Sequence, residues 1–262
     1  TSEMSYQFIR YSVADGIAEI VLDRPPLNLV HEAMTREYFD ALAAADADCE
    51  VRVVVLSGAG KGLSGGLDLR HALEYGEHAM KAFLELFYVE QMRRARAMTK
   101  PMIAMVHGFA QEGGCTLAYG CDMIVAADDA RFGYPGVPNA GIPPGMHVWF
   151  LQKIVGRMKA AELIYTGKSV TAAEAERLGL ITRAVPPARL RDETMELAAR
   201  VAAMSPHTLK ITRRFMYDVE DLPFSEVPEA ALKVVSEAFG TEDSLEARRA
   251  FAEKRKPVWK GR

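Results

Sequence analysis

Short apolar runs without charged residues alternate with helix-like segments along most of the chain. Three of these runs, Val53–Leu56, Met102–Val106 and Met123–Ala127, are apolar at every position. A strand that is polar on neither face is typical of a parallel sheet covered by helices. Nearly everything after Pro186 has a helical pattern. The sequence therefore predicts an α/β fold with a C-terminal helical region, divided into residues 1–186 and 187–262.

The segments around these strands give three further predictions. Phe8–Val13 and Ile17–Leu22 are β-rich runs separated by a short turn that contains glycine, which predicts an antiparallel hairpin. One amphipathic helix is predicted from Ala72 to Met98. The density of glycine and proline predicts an irregular loop from Gly133 to Gly145.

Composition and charge narrow the classes of function. The chain has 262 residues, of which 49% are hydrophobic, so it can bury a large core. Its 32 Lys and Arg against 35 Asp and Glu give a net charge of −3, which gives no reason to expect nucleic acid or a membrane surface as a partner. Cys49, Cys115 and Cys121 are too few and too irregularly spaced for a disulfide framework, and no metal site is expected. With no signal pattern at Thr1–Met4 and no long apolar run, we expect a cytoplasmic protein.

One glycine-rich loop satisfies two common motifs without the surroundings that either motif requires. Gly60–Gly65 matches the G-x-G-x-x-G pattern of dinucleotide-binding folds, but no strand ending in an acidic residue follows it at the expected distance. Gly62–Gly66 matches the G-x-S-x-G pattern of hydrolases, yet Ser64 lies too far beyond its strand to form a sharp turn. The first match still leaves a nicotinamide oxidoreductase as an alternative. A rise in melting temperature with NAD(H) but not with CoA would support this alternative.

Two glycine turns that follow buried strands are the stronger candidates for a reactive site. The first is Ser64–Leu69 and the second is Gly108–Cys115. Each places unobstructed backbone N–H groups near the carboxyl end of a strand, and the second turn opens a helix. Two such N–H groups that converge on one oxygen form an oxyanion hole, whose donors need no reorganisation as charge develops.

These turns and several other motifs resemble the crotonase (enoyl-CoA hydratase/isomerase) superfamily. The similarity covers nearly the whole chain in the same order, through the segments Leu22–Pro25, Leu63–Leu69, Lys100–Cys115, Ala130–Gly133, Gly141–Pro143, Thr166–Gly167, Ala172–Leu180 and Ala250–Lys256. The resemblance implies a ββα spiral core and C-terminal helices that assemble a homotrimer or a hexamer, as a dimer of trimers. It also implies an acyl-CoA substrate, with coenzyme A as part of the substrate and no separate cofactor.

The resemblance also implies which residues form the site. The thioester carbonyl would lie between the N–H groups of Leu67 and Gly113. Phe251 and Lys254 would help to bind the nucleotide end of CoA. The substrate-binding residues expected on this basis are Ser64, Gly66, Asp68, Leu69, Tyr134, Gly136, Phe251 and Lys254.

The usual acid–base residues of the superfamily are absent from this chain. Hydratases place two glutamates beside the substrate double bond, but here those positions hold Thr116 and Gly136, and neither transfers a proton as a carboxyl group does. A carboxylate position used by some relatives holds Pro144. Glu112, where the superfamily has glycine, is instead a candidate acid or base with a raised pKa, if its side chain enters the pocket. The alternative is that Glu112 points away and binds a backbone group or an arginine.

The sequence thus predicts an acyl-CoA enzyme of the hydratase/isomerase type, in the lyase class, with Leu67, Gly113 and Glu112 as its catalytic residues. Because the glutamates are replaced, three other acyl-CoA activities remain alternatives: decarboxylase, retro-Claisen C–C hydrolase and thioester hydrolase. A non-catalytic CoA-binding homologue is a further alternative. His147, at a predicted helix start, is expected to cap or pack that helix rather than to react.

Overall fold

The structure, a computed structural model, describes residues 5–262, and for Ala72 it describes the backbone alone. Thr1–Met4, which entered the expectation about a signal segment, lie outside the described residues. The strands are β1 (Ile9–Ala14), β2 (Ile17–Leu22), β3 (Val53–Gly58), β4 (Met102–Val106), β5 (Phe109–Gln111), β6 (Met123–Ala127), β7 (Arg131–Gly133), β8 (Val170–Thr171) and β9 (Arg183–Val185).

Helices occupy the segments between the strands and most of the C-terminal region. They are α1 (Glu32–Ala47), α2 (Leu69–Leu73), α3 (Glu77–Leu84), α4 (Gln91–Ala97), α5 (Gly113–Tyr119), α6 (Gly136–Ala140), α7 (His147–Thr166), α8 (Ala172–Arg177), α9 (Leu190–Ala202), α10 (Pro206–Asp218), α11 (Val227–Phe239) and α12 (Glu242–Ala252). Short 3₁₀ turns lie at Pro187–Arg189, Val219–Asp221 and Phe224–Glu226.

The main sheet has the spatial order β1-β2-β3-β4-β6-β9. β1 and β2 pair antiparallel as the predicted hairpin, and Asp15 and Gly16 turn the chain with positive φ angles of 52° and 77°. The pairings from β2 through β9 are parallel. β3, β4 and β6 are almost completely buried, as their uninterrupted apolar runs predict.

A second, small sheet lies beside the glycine loops. Its order is β5-β7-β8, with β5 and β7 parallel and β7 and β8 antiparallel. A single bridge from Ser64 to Ala110 connects the first glycine loop to this sheet, and a second bridge, from Val30 to Leu67, connects the loop to the segment before α1. The sequence did not predict these strands, because two or three residues are too few to show an alternating pattern.

The segment predicted as one helix from Ala72 to Met98 is divided. α2 ends at Leu73, and the chain then runs from α3 through a π-helical turn, Glu85–Glu90, into α4. A π turn holds more residues than an α turn, so it changes which side chains face the neighbouring elements. The predicted loop Gly133–Gly145 likewise contains a short helix, α6, which ends at Gly141 with a left-handed φ of 64°.

The C-terminal helices join the core in two ways. α9 packs on β3, β4 and β6, although it follows the predicted boundary at Pro186. α10 is fixed by Arg213, which is buried and pairs with Asp122 at 2.9 Å. The same guanidinium donates to the Ala95 carbonyl at 2.7 Å, so both its charge and its N–H groups are satisfied inside the protein. α11 and α12 pack against α10 and each other.

Two classes of feature are missing from residues 5–262. No helix in this part of the chain is both long enough and apolar enough to cross a lipid bilayer. In the same residues, no group of three or more His, Cys, Asp or Glu side chains is arranged to hold a metal ion.

Candidate active site

The first glycine loop is held by one buried amide side chain. Asn28 is fully buried, and its Nδ2 donates to the carbonyl oxygens of Ala59, Gly62 and Leu63 at 2.7, 3.0 and 3.1 Å. The Asn28 carbonyl accepts a hydrogen bond from the Ser64 hydroxyl at 2.7 Å. Because removing one partner of such a buried network leaves the others unpaired, the network favours a single loop conformation.

The two glycine loops touch each other. The Gln111 N–H donates to the Ser64 carbonyl at 3.1 Å. The backbones of Gly66 and Gly113 also lie close together. A β-carbon added to Gly66 would lie 3.3 Å from the Gly113 nitrogen, and one added to Gly113 would lie 3.3 Å from the Gly66 Cα. The close approach of the two backbones therefore depends on residues without side chains at this point.

Two unpaired backbone N–H groups flank this contact. Val30 donates to the Gly66 carbonyl at 2.8 Å and accepts from the Asp68 N–H at 2.9 Å, so the Leu67 N–H points away from Val30. The Gly113 N–H lies in the first turn of α5, where a helix offers no internal acceptor. Among residues 5–262, no acceptor is paired with either N–H. Both donors are therefore available to a ligand.

Glu112 connects the second loop to α5 in an uncommon backbone conformation. It has φ 44° and ψ −108°, which is unfavourable for a residue with a β-carbon. Its N–H donates to the Gly133 carbonyl at 3.0 Å, and its carbonyl accepts from the Thr116 N–H at 2.9 Å. These two bonds hold the main chain in place, and they fix the direction in which the side chain leaves it.

The Glu112 carboxyl group lies against Gly136. A β-carbon added to Gly136 would be 2.8 Å from Glu112 Oε1, so the carboxyl occupies the space that any side chain at position 136 would need. Oε1 is buried and accepts no hydrogen bond of normal geometry. Burial raises the pKa of Glu112 to about 7, and the nearby Gly136 backbone amide opposes this only in part. At neutral pH the carboxyl can therefore both take up and release a proton.

Thr116 and His147 both contact the backbone carbonyl of Glu112. His147 is fully buried, and its Nε2 lies 3.0 Å from the Thr116 hydroxyl oxygen and 3.2 Å from the Glu112 carbonyl oxygen. Burial lowers the pKa of His147 to about 4, so the ring is neutral at pH 7. A carbonyl oxygen only accepts, so we assign the ring proton to Nε2, which leaves Nδ1 as a buried, unpaired acceptor. His147 thus packs and donates, in agreement with the structural role expected for it.

Tyr134, expected to contact the substrate, lies in an aromatic cluster with His147. Its side chain is fully buried, its ring centroid is 4.9 Å from that of His147, and its hydroxyl donates to the Tyr119 hydroxyl at 3.2 Å. The hydroxyl is therefore engaged inside the protein. Contact between Tyr134 and a substrate stays a prediction.

An open groove runs along the outer side of the first loop. It has a volume of about 590 Å³, and its walls include Leu27, Leu67, Leu69 and Arg70. Leu69 is exposed there. Two of the residues expected to bind substrate, Asp68 and Leu69, line this groove together with Leu67.

Two polar residues predicted to bind substrate are already paired within the protein. Ser64 is fully buried, and its hydroxyl accepts from the Gly66 N–H at 3.1 Å. Asp68 pairs with Arg24 at 2.7 Å and accepts from the His71 N–H at 3.3 Å. Burial alone would raise the pKa of Asp68, but Arg24 and the His71 amide outweigh burial and hold the pKa below its usual value. Both side chains therefore shape the loop through internal bonds.

Phe251 and Lys254 lie at the end of the last helix. Phe251 is 88% exposed, and Lys254 is exposed just beyond α12 with a φ of 54°. α12 packs against α10 and α11. The structure does not join these residues to the glycine loops within one chain, and their contact with a nucleotide stays a prediction.

Sequence reasoning missed Tyr88, whose ring packs on the Phe87 ring beneath Gly113. It belongs to the π-helical turn, and its ring faces Gly145, whose added β-carbon would be 3.7 Å from Tyr88 Cδ1 and Cε1. Burial and then the charge of Glu112 raise the pKa of the Tyr88 hydroxyl well above its usual value, so the hydroxyl is neutral. No sequence signal could have found Tyr88, because the apolar pattern of this segment does not reveal a π turn.

Comparison with known proteins gives consistent matches. The family model described as enoyl-CoA hydratase/isomerase matches residues 12–262. A probable enoyl-CoA hydratase of Rhizobium meliloti is 36% identical over 99% of this chain and 100% of its own length. A carnitinyl-CoA dehydratase of Escherichia coli is 33% identical over 94% of this chain and 96% of its own length.

Solved structures of similar fold cover nearly the whole chain. An enoyl-CoA hydratase subunit from Geobacillus kaustophilus superposes with a TM-score of 0.91 and 35% identity, covering 98% of this chain and 99% of its own. An enoyl-CoA hydratase from Bacillus anthracis superposes with a TM-score of 0.92 and 28% identity, covering 98% of this chain and 100% of its own.

Proposed function

The chain belongs to the enoyl-CoA hydratase/isomerase family, and from this membership we propose that it stabilises an acyl-CoA enolate between the N–H groups of Leu67 and Gly113, with Glu112 moving the proton. The membership confirms the resemblance to the crotonase superfamily and the acyl-CoA enzyme class predicted from the sequence. The structural matches confirm the crotonase fold.

The loop contact supports the oxyanion hole. The Leu67 and Gly113 N–H groups have no acceptor within the described chain, and they flank the point where Gly66 meets Gly113. A thioester oxygen placed there would receive two backbone donors and the positive end of the α5 dipole. Such donors are fixed before the reaction starts, so they stabilise the developing negative charge without reorganisation.

The position of the Glu112 carboxyl carries the proposal for proton transfer. In hydratases that the chain resembles, one catalytic glutamate stands at the position of Gly136. Here the carboxyl of Glu112 fills the space beside Gly136 instead, at 2.8 Å from where a β-carbon would begin. Its Oε1 is unpaired, and its pKa of about 7 suits both acceptance and donation. One carboxyl, reaching the pocket from a different backbone position, would take over the proton transfer.

The chemistry that follows uses one proton and one carboxyl. Ionised Glu112 removes a proton from Cα of the acyl group, and the electron pair of that C–H bond moves toward the thioester oxygen. The two amides hold the resulting negative charge. Protonated Glu112 then returns a proton to the same intermediate or to a leaving oxygen, which makes each step reversible.

A product-resolved turnover assay tests this function. Crotonyl-CoA and 3-hydroxybutanoyl-CoA report hydration and dehydration, whereas malonyl-type and β-keto acyl-CoAs report decarboxylation and retro-Claisen cleavage. Free thiol formed without a change in the acyl chain reports thioester hydrolysis. We expect interconversion of an enoyl and a 3-hydroxyacyl thioester. Absence of turnover for all of these at micromolar enzyme, together with CoA binding, would instead support a non-catalytic homologue.

The pH dependence of the reaction should report the Glu112 carboxyl. Deprotonation of substrate requires ionised Glu112, and burial raises the pKa of this group from 4.5 to about 7. We therefore expect kcat/KM for dehydration to rise between about pH 6 and about pH 8, with a midpoint near 7. The same transition should be missing from the residual activity of Glu112→Gln. A flat profile across this range in the unaltered enzyme contradicts the assignment.

The groove beside the first loop is the proposed path of the CoA moiety. Leu67 lies both in the groove wall and at the oxyanion hole, so the two regions are continuous. Exposed Leu69 offers an apolar surface, and the Arg24–Asp68 ion pair fixes the loop that carries both leucines. The Arg70 side chain supplies positive charge at the rim for a phosphorylated ligand.

We also propose that the chain assembles as a homotrimer or as a dimer of trimers. In the isolated chain α11 buries no residue, and Leu232, Val235 and Phe239 are 68%, 62% and 60% exposed. An apolar helix face of this kind is expected to be covered by another surface. Light scattering coupled to gel filtration should give the mass of three or six chains, and replacing Leu232 and Val235 by Lys should lower that mass. A monomeric mass for the unaltered protein would contradict the proposal.

A further inference from the structure

The π-helical turn Glu85–Glu90 presents two consecutive aromatic rings to the candidate site. The Phe87 ring lies beneath Gly113, where an added β-carbon would be 3.0 Å from Phe87 Cε1. The Tyr88 ring lies against Gly145. The two rings meet edge to face with centroids 5.0 Å apart, so the position of one fixes the other.

Tyr88 is half-buried, and its hydroxyl has no hydrogen-bond partner among residues 5–262. Nearby polar side chains are engaged elsewhere: Tyr134 donates to Tyr119, and His147 contacts Thr116. Phe87 packs against Tyr88 and lies beneath Gly113, the residue that follows Glu112, so Tyr88 and Glu112 border a common region. This region therefore contains a neutral O–H donor and a carboxyl acceptor, and the acceptor's Oε1 is also unpaired.

We propose that Tyr88 is a further catalytic residue, whose hydroxyl donates a hydrogen bond to an oxygen at Cβ of the acyl group while Glu112 handles the proton. This inference rests on the function proposed above and assigns Tyr88, within that function, to the oxygen at Cβ of the acyl group. The Tyr88 hydroxyl and the Glu112 carboxyl would both contact the oxygen at Cβ. An acyl chain without this oxygen would leave both groups unpaired, so the site would bind it less well.

The balanced reaction gives each residue one part. In dehydration, ionised Glu112 takes the Cα proton, and the electron pair of the C–H bond forms the enolate. The enolate then forms the Cα–Cβ double bond as the Cβ–O bond breaks, and Glu112 passes its proton to the departing oxygen, which leaves as water. Tyr88 keeps its own proton and stabilises the negative charge that builds on the departing oxygen. In hydration the same steps run in reverse.

Binding measurements in a non-reacting variant test the contact directly. In a Glu112→Gln background, calorimetry compares 3-hydroxybutanoyl-CoA with butanoyl-CoA, with and without Tyr88→Phe. We expect Tyr88→Phe to weaken binding of the hydroxy compound by about 10-fold and to leave butanoyl-CoA nearly unchanged. With Glu112 intact, Tyr88→Phe should lower kcat/KM for dehydration by about 10-fold to 100-fold. The exposed Tyr165, changed to Phe, is the matched control and should show neither effect.

The outcomes separate this inference from the function on which it rests. Equal weakening of both ligands by Tyr88→Phe would show a structural role, and no weakening of either would show no contact, so each overturns the inference. In both cases the proposed function stands, provided that Glu112→Gln lowers kcat for dehydration by about 10²-fold or more. If the unaltered protein binds neither thioester, the proposed function fails and the role of Tyr88 fails with it.

Discussion

Replacing Glu112 by Gln is expected to lower kcat for dehydration by about 10²-fold to 10⁴-fold, with KM changed only a few-fold. Glutamine keeps the shape of the side chain, so the contact with Gly136 remains, but an amide cannot take up the Cα proton. Because the carboxyl acts in the transition state more than in substrate binding, the loss should appear in kcat. Steady-state kinetics with 3-hydroxybutanoyl-CoA measure both constants.

An exposed glutamate provides the control for this substitution. Glu196 lies on the exposed side of α9, and Glu196→Gln should leave both constants unchanged. The melting temperature of Glu112→Gln should stay close to or above that of the unaltered protein at pH 8, because the substitution removes a buried carboxylate. Full activity in a folded Glu112→Gln protein would show that another group transfers the proton.

Replacing Gly113 by Pro is expected to lower kcat by about 10²-fold to 10³-fold, because proline removes one N–H donor of the oxyanion hole. Proline is tolerated in the first turn of a helix, where its missing N–H has no helical partner, so α5 should still form. The proline ring also restricts the backbone of Glu112, the residue before it, so a variant that keeps the N–H is needed to assign the loss.

Gly113→Ala is the matched variant. Alanine retains the N–H group but adds the same β-carbon, which would approach Phe87 Cε1 to 3.0 Å. A movable ring can shift to accept this contact, so the alanine variant should keep far more activity than the proline variant. Equal losses in both variants would assign the effect to crowding by the side chain and would remove the Gly113 N–H from the hole. Circular dichroism confirms that both variants are folded before their rates are compared.

For Glu112, the sequence predicts that a carboxyl is present but not the direction in which it points. The sequence identified a carboxyl next to Gly113 but left two directions open for it. In the structure the main-chain bonds to Gly133 and Thr116 fix the backbone at φ 44°, and the side chain then lies against Gly136. Nothing in the local sequence determines this direction, because the contact joins residues from separate loops.

For Ser64 and Asp68, the structure shows side-chain partners that the sequence did not predict. The resemblance to the crotonase superfamily led to the prediction that both bind substrate, and this contact stays a prediction. The structure shows that the Ser64 hydroxyl bonds to Asn28 and that the Asp68 carboxylate pairs with Arg24. Both partners come from the segment before α1, about 35 to 45 residues earlier in the chain. The sequence alone does not reveal that this segment contacts the first loop.

The sequence by itself determined the alternation of buried strands and helices, the two glycine turns and the family. These features are local, since an apolar run or a glycine turn restricts its own backbone wherever it occurs. Only the tertiary structure decided that Gly66 touches Gly113, that the Glu112 carboxyl fills the space at Gly136, and that Tyr88, in a π turn, packs on the Phe87 ring beneath Gly113. These arrangements depend on packing between distant segments, and packing sets both the direction of each side chain and the burial that raises the pKa of Glu112.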